Sequence, residues 1–337
     1  MSKSMIKKGS KPVVAFLTGG YSGEAVISYQ SAKTIEANLD YNQFTVYKID
    51  ITTSGWFYTA PGDEKFEIDK NDFSLTIHGI KVAFDVVLIG IHGTPGEDGK
   101  LQGYFDMLRL PYTSCSAAVS ALTFNKRFTV AVAAFGGIPV SKSVHLFKEH
   151  PTDPGEILKE LHLPVFVKPN NGGSSIGMSK VINIQDLPGA LEKAFLEDTQ
   201  VLVEEFIAGR EFTIGVFRHQ GTITTLPITE VISKRDFFDY EAKYVSGMSE
   251  EITPAVVDDS IAQQVRDLAK KAYSIFNCSG VVRIDFIYNE AKGLPYMLEI
   301  NTVPGQSEAS IVPQQVRAMG WTLTEFYTSL IKEAMAS

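Results

Sequence analysis

The sequence predicts an α/β fold divided into more than one unit. Three observations carry this. The chain opens on an apolar run, an amphipathic stretch and a second apolar run, which together make a βαβ unit, the seed of a parallel sheet. Strand-like runs then keep alternating with helical periodicity through residue 206. At 337 residues the chain is also too long for one ordinary core and suits two or three domains.

The elements follow in order. Residues 13–17 are apolar and close at Thr18, Gly19 and Gly20, as a buried strand does at a turn. From 24 to 39, Val26, Tyr29, Ala32, Ile35 and Leu39 recur at steps of three and four, which predicts a helix with those residues on its buried face. A strand at 44–49 follows. Residues 51–82 are punctuated by Gly55, Pro61, Gly62 and Gly79 and read as an inserted antiparallel hairpin. Residues 84–91 form another buried strand, ending at His92 and Gly93, and the first domain is expected to span residues 1–115.

A central region, 116–207, holds a helix at 126–135, a strand at 164–167 ending in Lys168, and a glycine-rich loop at 170–177. A helix at 187–196 and a strand at 201–206 complete it. The last region, 208–337, has strands at 211–217 and 281–288. Between them a polar and aromatic loop at about 233–250 has the length of a functional lid.

Composition sets outer limits. Formal charge is 31 − 39 = −8, which argues against a nucleic-acid partner. No apolar stretch approaches bilayer length, and residues 13–17 are too short for a signal-peptide core, so a cytoplasmic protein with no membrane partner is expected. Cys115 and Cys278 lack any metal-ligand spacing and read as reduced, partly buried thiols.

The residues suited to chemistry cluster in a few places. In VVRIDFIY (281–288), strand alternation puts Arg283 and Asp285 on one face and Val282, Ile284, Phe286 and Tyr288 on the other. In YMLEIN (296–301), Glu299 and Asn301 share one face and Leu298 and Ile300 the other. A turn at Lys292 and Gly293 makes the two runs a hairpin. Two carboxylates and an amide oxygen are hard ligands suited to Mg²⁺; a solvated, salt-bridged face fits the same four residues. Lys168 with the following glycine-rich loop suits a nucleotide phosphate, or a solvated strand end. Glu204, Glu205 and Glu211 lie at a strand end where acids accept hydrogen bonds from adenine or ribose, or simply meet water. The loops after the first and third apolar strands carry Glu24 and Glu97–Asp98. Strand-end loops of this kind build substrate pockets in open α/β sheets, although Glu97 and Asp98 equally suit a helix cap.

Together these pieces resemble the D-alanine–D-alanine ligases. HGTPGEDGKLQG (92–103) matches one family signature; RIDF (283–286), LEIN (298–301) and TVPG (302–305) match another; KPNNGGSSIGMSK (168–180) and DYEAKY (239–244) are similar to further family segments, in family order. The resemblance covers residues 13 to about 334. It implies an ATP-grasp fold: an N-terminal parallel-sheet α/β domain followed by two α+β domains that clamp ATP. It implies a two-step chemistry, in which ATP phosphorylates the first D-alanine and the amine of the second displaces phosphate.

By position the resemblance gives Asp285, Glu299 and Asn301 two Mg²⁺ ions, with Mn²⁺ as a substitute. Lys126, Lys168, Lys243, Ser174 and Ser175 fall to the ATP phosphates, Glu204 and Glu211 to adenine and ribose, and Glu205, Phe206 and Ile207 to backbone and packing contacts with the base. Glu24 takes the first D-alanine's ammonium with His92 nearby, Arg283 and the Gly305 N–H the oxyanion, and Ser310 the second carboxylate. Ser174 and Tyr244 bridge to Glu24 to lock the lid. The family also implies a homodimer.

Tyr244 favours a dipeptide product, since relatives that make D-alanine–D-lactate lack that tyrosine. Four positions depart from the common pattern. Ala25 and Val26 stand where many members have Arg-Glu, and Gln306 and Ala309 where many have methionine and histidine. These leave the second substrate open. An ATP-grasp ligase for other acids, or a nucleotide-binding relative without catalysis, are the competing readings.

Overall fold

The structure is a computed structural model that describes residues 11–150, 152–172, 176–233 and 249–336. In chain order its elements are β1 (Val13–Gly19), α1 (Ala25–Ala37), β2 (Thr45–Thr52), β3 (Gly55–Thr59), β4 (Lys65–Asp69), β5 (Ser74–Ile77), β6 (Ile80–Val82) and β7 (Val86–Ile89). Then come α2 (Lys100–Leu108), α3 (Ala117–Phe124), α4 (Lys126–Phe135), β8 (Ser143–Phe147), α5 (Pro154–Glu160), β9 (Val165–Pro169), β10 (Ser179–Val181), α6 (Leu187–Glu197) and β11 (Gln200–Glu205). The rest are β12 (Arg210–His219), β13 (Thr222–Thr225), β14 (Thr229–Ser233), β15 (Ser249–Ile252), α7 (Asp259–Ile275), β16 (Val282–Asn289), β17 (Leu294–Asn301), α8 (Ile311–Ala318) and α9 (Leu323–Ala336).

Among the described residues the strands form three sheets. The first runs β6-β5-β4-β3-β2-β1-β7. Its parallel part is the βαβ core, with β1 flanked by β2 and β7. Where the glycine and proline spacing predicts one hairpin over 51–82, four antiparallel strands extend the same sheet from the edge of β2. Short loops at Ser54, 60–64 and 78–79 leave only antiparallel returns. The second sheet, β10-β9-β11-β8, is wholly antiparallel. The third is built on β15-β14-β12-β16-β17, with β13 paired to β12.

Packing does not follow the linear order. The C-terminal helix α9 buries Phe326, Tyr327, Leu330 and Ile331 in one core with Val14, Phe16, Val86 and Leu88 of the first sheet. Helices α3 and α4 give Val119 and Ala133 to the core of the third sheet, which also takes Cys115 and Cys278. Both thiols are buried.

The periodicity expected of α1 is corrected at its start. Val26 is 61% exposed and Tyr29 41%, while Ser28, Ser31, Ala32 and Ile35 are buried. The inward face of the first two turns meets the polar segment after β7, and its small hydroxyls are satisfied there. Apolar residues would leave that segment's donors unpaired. No helix among the described residues is long and apolar enough to cross a membrane.

Candidate active site

The hairpin β16–β17 sets the centre. Register pairs Arg283 with Asn301 and Asp285 with Glu299, so the four polar side chains lie side by side on one face. The register shifts just beyond, between Asp285 and Phe286, where Phe286 pairs with Met297 and Leu298 is left over. This bulge corrects the expected faces: Met297 is buried in the core at 2% exposure, and Leu298 does not take the inward place.

Asp285 is buried and heavily bonded. Arg283 grips it with two bonds, Nε to Oδ1 at 2.9 Å and Nη2 to Oδ2 at 2.8 Å. Thr213 on β12, its cross-strand neighbour, donates to Oδ1 at 2.5 Å. Burial alone would lower the Arg283 pKa, but Asp285, then Glu299 and Glu97, hold it well above its ordinary value. Thr213 escaped the sequence reading. Its only signal is a hydroxyl inside the apolar run 212–217.

The N-terminal loops reach the same place. Gly93 has φ +66°, and a Cβ there would collide both with the Glu24 carboxylate and with Ser22 Oγ, the latter at 2.7 Å. Glu97, one of the two acids that also suited a helix cap, turns back instead. Its Oε2 accepts the Gly93 N–H at 2.7 Å. Burial and the nearby Glu24 push its pKa up to about 8, opposed by the Gly93 N–H, Arg283 and the Val303 N–H. Glu97 thus feels both Glu24 and Arg283, and through the Gly93 and Val303 backbones it links the loop after β7 to the segment after β17. His92 is buried, bonded through Nε2 to Ser31 Oγ at 2.9 Å. Desolvation drops its pKa to about 4 against a hydrogen bond with the Val303 backbone, and Arg283 lowers it further.

After β17 the chain turns so that Gly305 faces Ser310, whose Oγ would lie 2.8 Å from a Cβ at Gly305. Ser307 N–H donates to Ser310 Oγ at 3.0 Å, and the two hydroxyls are 2.7 Å apart.

The nucleotide-side residues gather on the second sheet. Lys168 and Glu204 form a buried ion pair at 2.5 Å. Lys126 at the start of α4 donates to Gly172 O at 2.6 Å, which ties it to the glycine-rich loop. Asn170 is fully buried. Its backbone O and its Oδ1 accept the N–H groups of Lys126 and Arg127. Glu205 is committed to neighbours: its side chain accepts from His162 N and Nδ1, and its backbone bonds Ser141 and Lys142. Phe206 donates its N–H to Pro164 and lies 4.0 Å under the Lys180 ammonium. Ile207 is half-buried in the link to β12, and Glu211 lies on β12 opposite Val231 and Ile287. Ser174, Ser175, Lys243 and Tyr244, with most of the expected lid, lie outside the described residues.

The hairpin face fits a divalent cation. Three bonds occupy Asp285, which leaves one lone-pair direction on Oδ2. Asn301 keeps a buried amide nitrogen with no hydrogen-bond partner among the described residues. Its amide is therefore committed to no protein acceptor and is available to present its oxygen.

A parallel-sheet unit, two antiparallel sheets, Lys168 on the strand that leads into the glycine-rich segment and a carboxylate hairpin define an ATP-grasp protein of the ligase kind. The family description "D-ala D-ala ligase N-terminus" matches residues 13–115, and "D-ala D-ala ligase C-terminus" matches residues 127–332. The D-alanine–D-alanine ligase of Flavobacterium johnsoniae is 44% identical over 323 residues, 96% of this chain and 99% of that protein. That of Flavobacterium psychrophilum is 47% identical over 302 residues, 90% of this chain and 91% of its own. The chain belongs to the D-alanine–D-alanine ligase family. Among solved structures, the D-Ala:D-Ser ligase VanG from Enterococcus faecalis superposes with a TM-score of 0.86 at 29% identity, covering 96% of this chain and all of that one. D-alanyl-alanine synthetase A from Vibrio cholerae gives 0.86 at 27% identity, covering 97% and 99%.

Proposed function

We infer that this chain joins two D-alanine molecules at the expense of ATP and supplies the dipeptide for peptidoglycan precursors in the cytoplasm. The observation that carries this is the register of β16 on β17, which sets Arg283, Asp285, Glu299 and Asn301 on one face in a chain whose two parts both match the family.

The division of labour follows the three regions 1–115, 116–207 and 208–337. Glu24 holds the first D-alanine's ammonium. Lys126, Lys168 and the glycine-rich loop hold the phosphates, and Glu204 and Glu211 the adenine and ribose. Asp285, Glu299 and Asn301 hold two Mg²⁺ ions, which when bound neutralise charge between the phosphates. The first D-alanine's carboxylate oxygen bonds to the γ-phosphorus as its bond to ADP breaks. The second amine, having lost a proton, then bonds to the acyl carbon, and phosphate leaves. Arg283 and the Gly305 N–H face the oxyanion between those events; one such donor contributes about 3 kcal/mol. Ser310 orients the second carboxylate, and Tyr244, read from the sequence, favours a dipeptide over an ester. The enzyme works as a homodimer.

The test is ADP release from the folded protein with Mg²⁺, with and without D-alanine, and the product identified by mass. A D-alanine-dependent burst of ADP with dipeptide is expected. Dipeptide formation should gain on ester formation from added D-lactate as pH rises, since the ammonium must give up a proton before it has a lone pair for attack, whereas the neutral hydroxyl already has one. ADP release indifferent to D-alanine would sink the reading.

A further inference from the structure

Three segments far apart in the chain meet behind Gly305: the middle of α1, the segment after β7 and the segment after β17. Ser31 is fully buried on α1. Its Oγ lies 2.9 Å from His92 Nε2 and accepts the Gln306 N–H at 3.1 Å. Gln306 is buried too, its Nε2 donating to Pro304 O and its Oε1 accepting the Tyr327 hydroxyl, both at 3.2 Å. One turn back on α1, Ser28 Oγ accepts the His92 backbone N–H at 2.9 Å. The imidazole also hydrogen-bonds the Val303 backbone.

Donor and acceptor chemistry orders these contacts. A backbone N–H only donates, so Gln306 takes a lone pair of Ser31 Oγ. The Val303 carbonyl only accepts, so the one proton of the neutral imidazole falls on Nδ1 and Nε2 is bare. The single hydroxyl proton of Ser31 then points to Nε2. Residues 303–306 are thus gripped at both ends: Val303 by His92, and Gln306 by Ser31.

We propose that Ser31 is a positioning residue for the ligation step: through Gln306 and His92 it pins the loop that carries Gly305, and so fixes where the Gly305 N–H meets the oxyanion. The proposal rests on the ligase reading above. Gly305 directly precedes Gln306, so the bond to Ser31 fixes the peptide on its C-terminal side. His92 acts through this loop, since both its ring nitrogens are taken by the protein.

The first measurement needs no variant. In protein labelled with ¹⁵N-histidine, the His92 signals, identified by their loss in His92→Gln, should show Nδ1 protonated and Nε2 bare. A proton on Nε2 overturns the order of the chain and with it the proposal. The second uses Ser31→Ala. Its kcat should fall about tenfold to a hundredfold, the scale of a misplacement near 1 Å, while the KM for ATP stays within about twofold. Hydrogen exchange at the Gln306 amide should quicken while the β1 amides stay protected. An unchanged kcat, a Gln306 amide as protected as before, or exchange that quickens throughout β1 each overturns it. Neither the tautomer nor the exchange rate requires turnover. Wild-type protein with no D-alanine-dependent ADP release would therefore count against the ligase reading and be told apart from failure of the Ser31 role.

Discussion

Asn301 and Arg283 face each other across the hairpin yet carry different burdens. Arg283 holds a buried carboxylate by two bonds and cannot be removed without leaving Asp285 with a largely uncompensated charge. Asn301 spends no hydrogen bond from its amide nitrogen on any other described residue. Asn301→Ala is therefore expected to raise the Mg²⁺ concentration for half-maximal turnover on the order of tenfold to a hundredfold, with a urea midpoint close to wild type. Unfolding of that variant would make the hairpin face structural. Such a difference between neighbours is invisible in the string RIDF…LEIN, where both residues read as polar members of one strand face.

The same economy appears in α4 and the glycine-rich loop. Two elements separated by more than forty residues are fastened by one residue: the Asn170 backbone O accepts the Lys126 N–H and its Oδ1 the Arg127 N–H, while its own N–H donates to Gln200 O. Asn171 adds two bonds to Asp198. The loop root and Lys126 therefore move as a unit. Asn170→Ala removes the acceptor of the Arg127 N–H in the first turn of α4, whose own N-cap is Asn125, a loss of about 1 kcal/mol. It should lower the thermal midpoint by a few degrees, roughly as a loss of that size does, and weaken ATP binding more than it slows kcat. Initial rates across ATP concentrations, beside a melting curve, check both. The glycine-rich spacing offered a phosphate loop here, or a solvated strand end. The bond from Arg127 to Asn170 was not legible, because an Asn pair before a glycine pair reads equally well as turn residues.

At the scale of the molecule, two buried titratable groups sit where the first sheet meets the third. His92 is held neutral, its folded pKa about 4 against 6.5 unfolded. Its contribution is present above pH 6.5 and lost as pH falls toward 4. Glu97 is raised from 4.5 to about 8, so its contribution is present below pH 4.5 and lost as pH rises through 8. Between 4.5 and 6.5 the two slopes oppose each other. Urea midpoints measured across pH should therefore stay level in that window and decline from 6.5 to 8, and in Glu97→Gln the decline should disappear. A decline that persists in the variant assigns it to other groups.

From the residues alone came the βαβ opening, most later strands and helices, and the run of motifs whose order marks the family. These depend on near neighbours: alternation, helical period and turn residues act within a few positions of one another. Tertiary structure decided what depends on distant partners. It turned the serines of α1 inward and Val26 and Tyr29 out, because the surface opposite them is polar. It slipped β17 by one residue at Leu298, which handed the core to Met297. It set Thr213 against Asp285, and brought Ser31 to Gln306 across 275 positions of chain. A buried hydrogen bond is chosen by whichever partner packing delivers, and packing is a property of the whole fold.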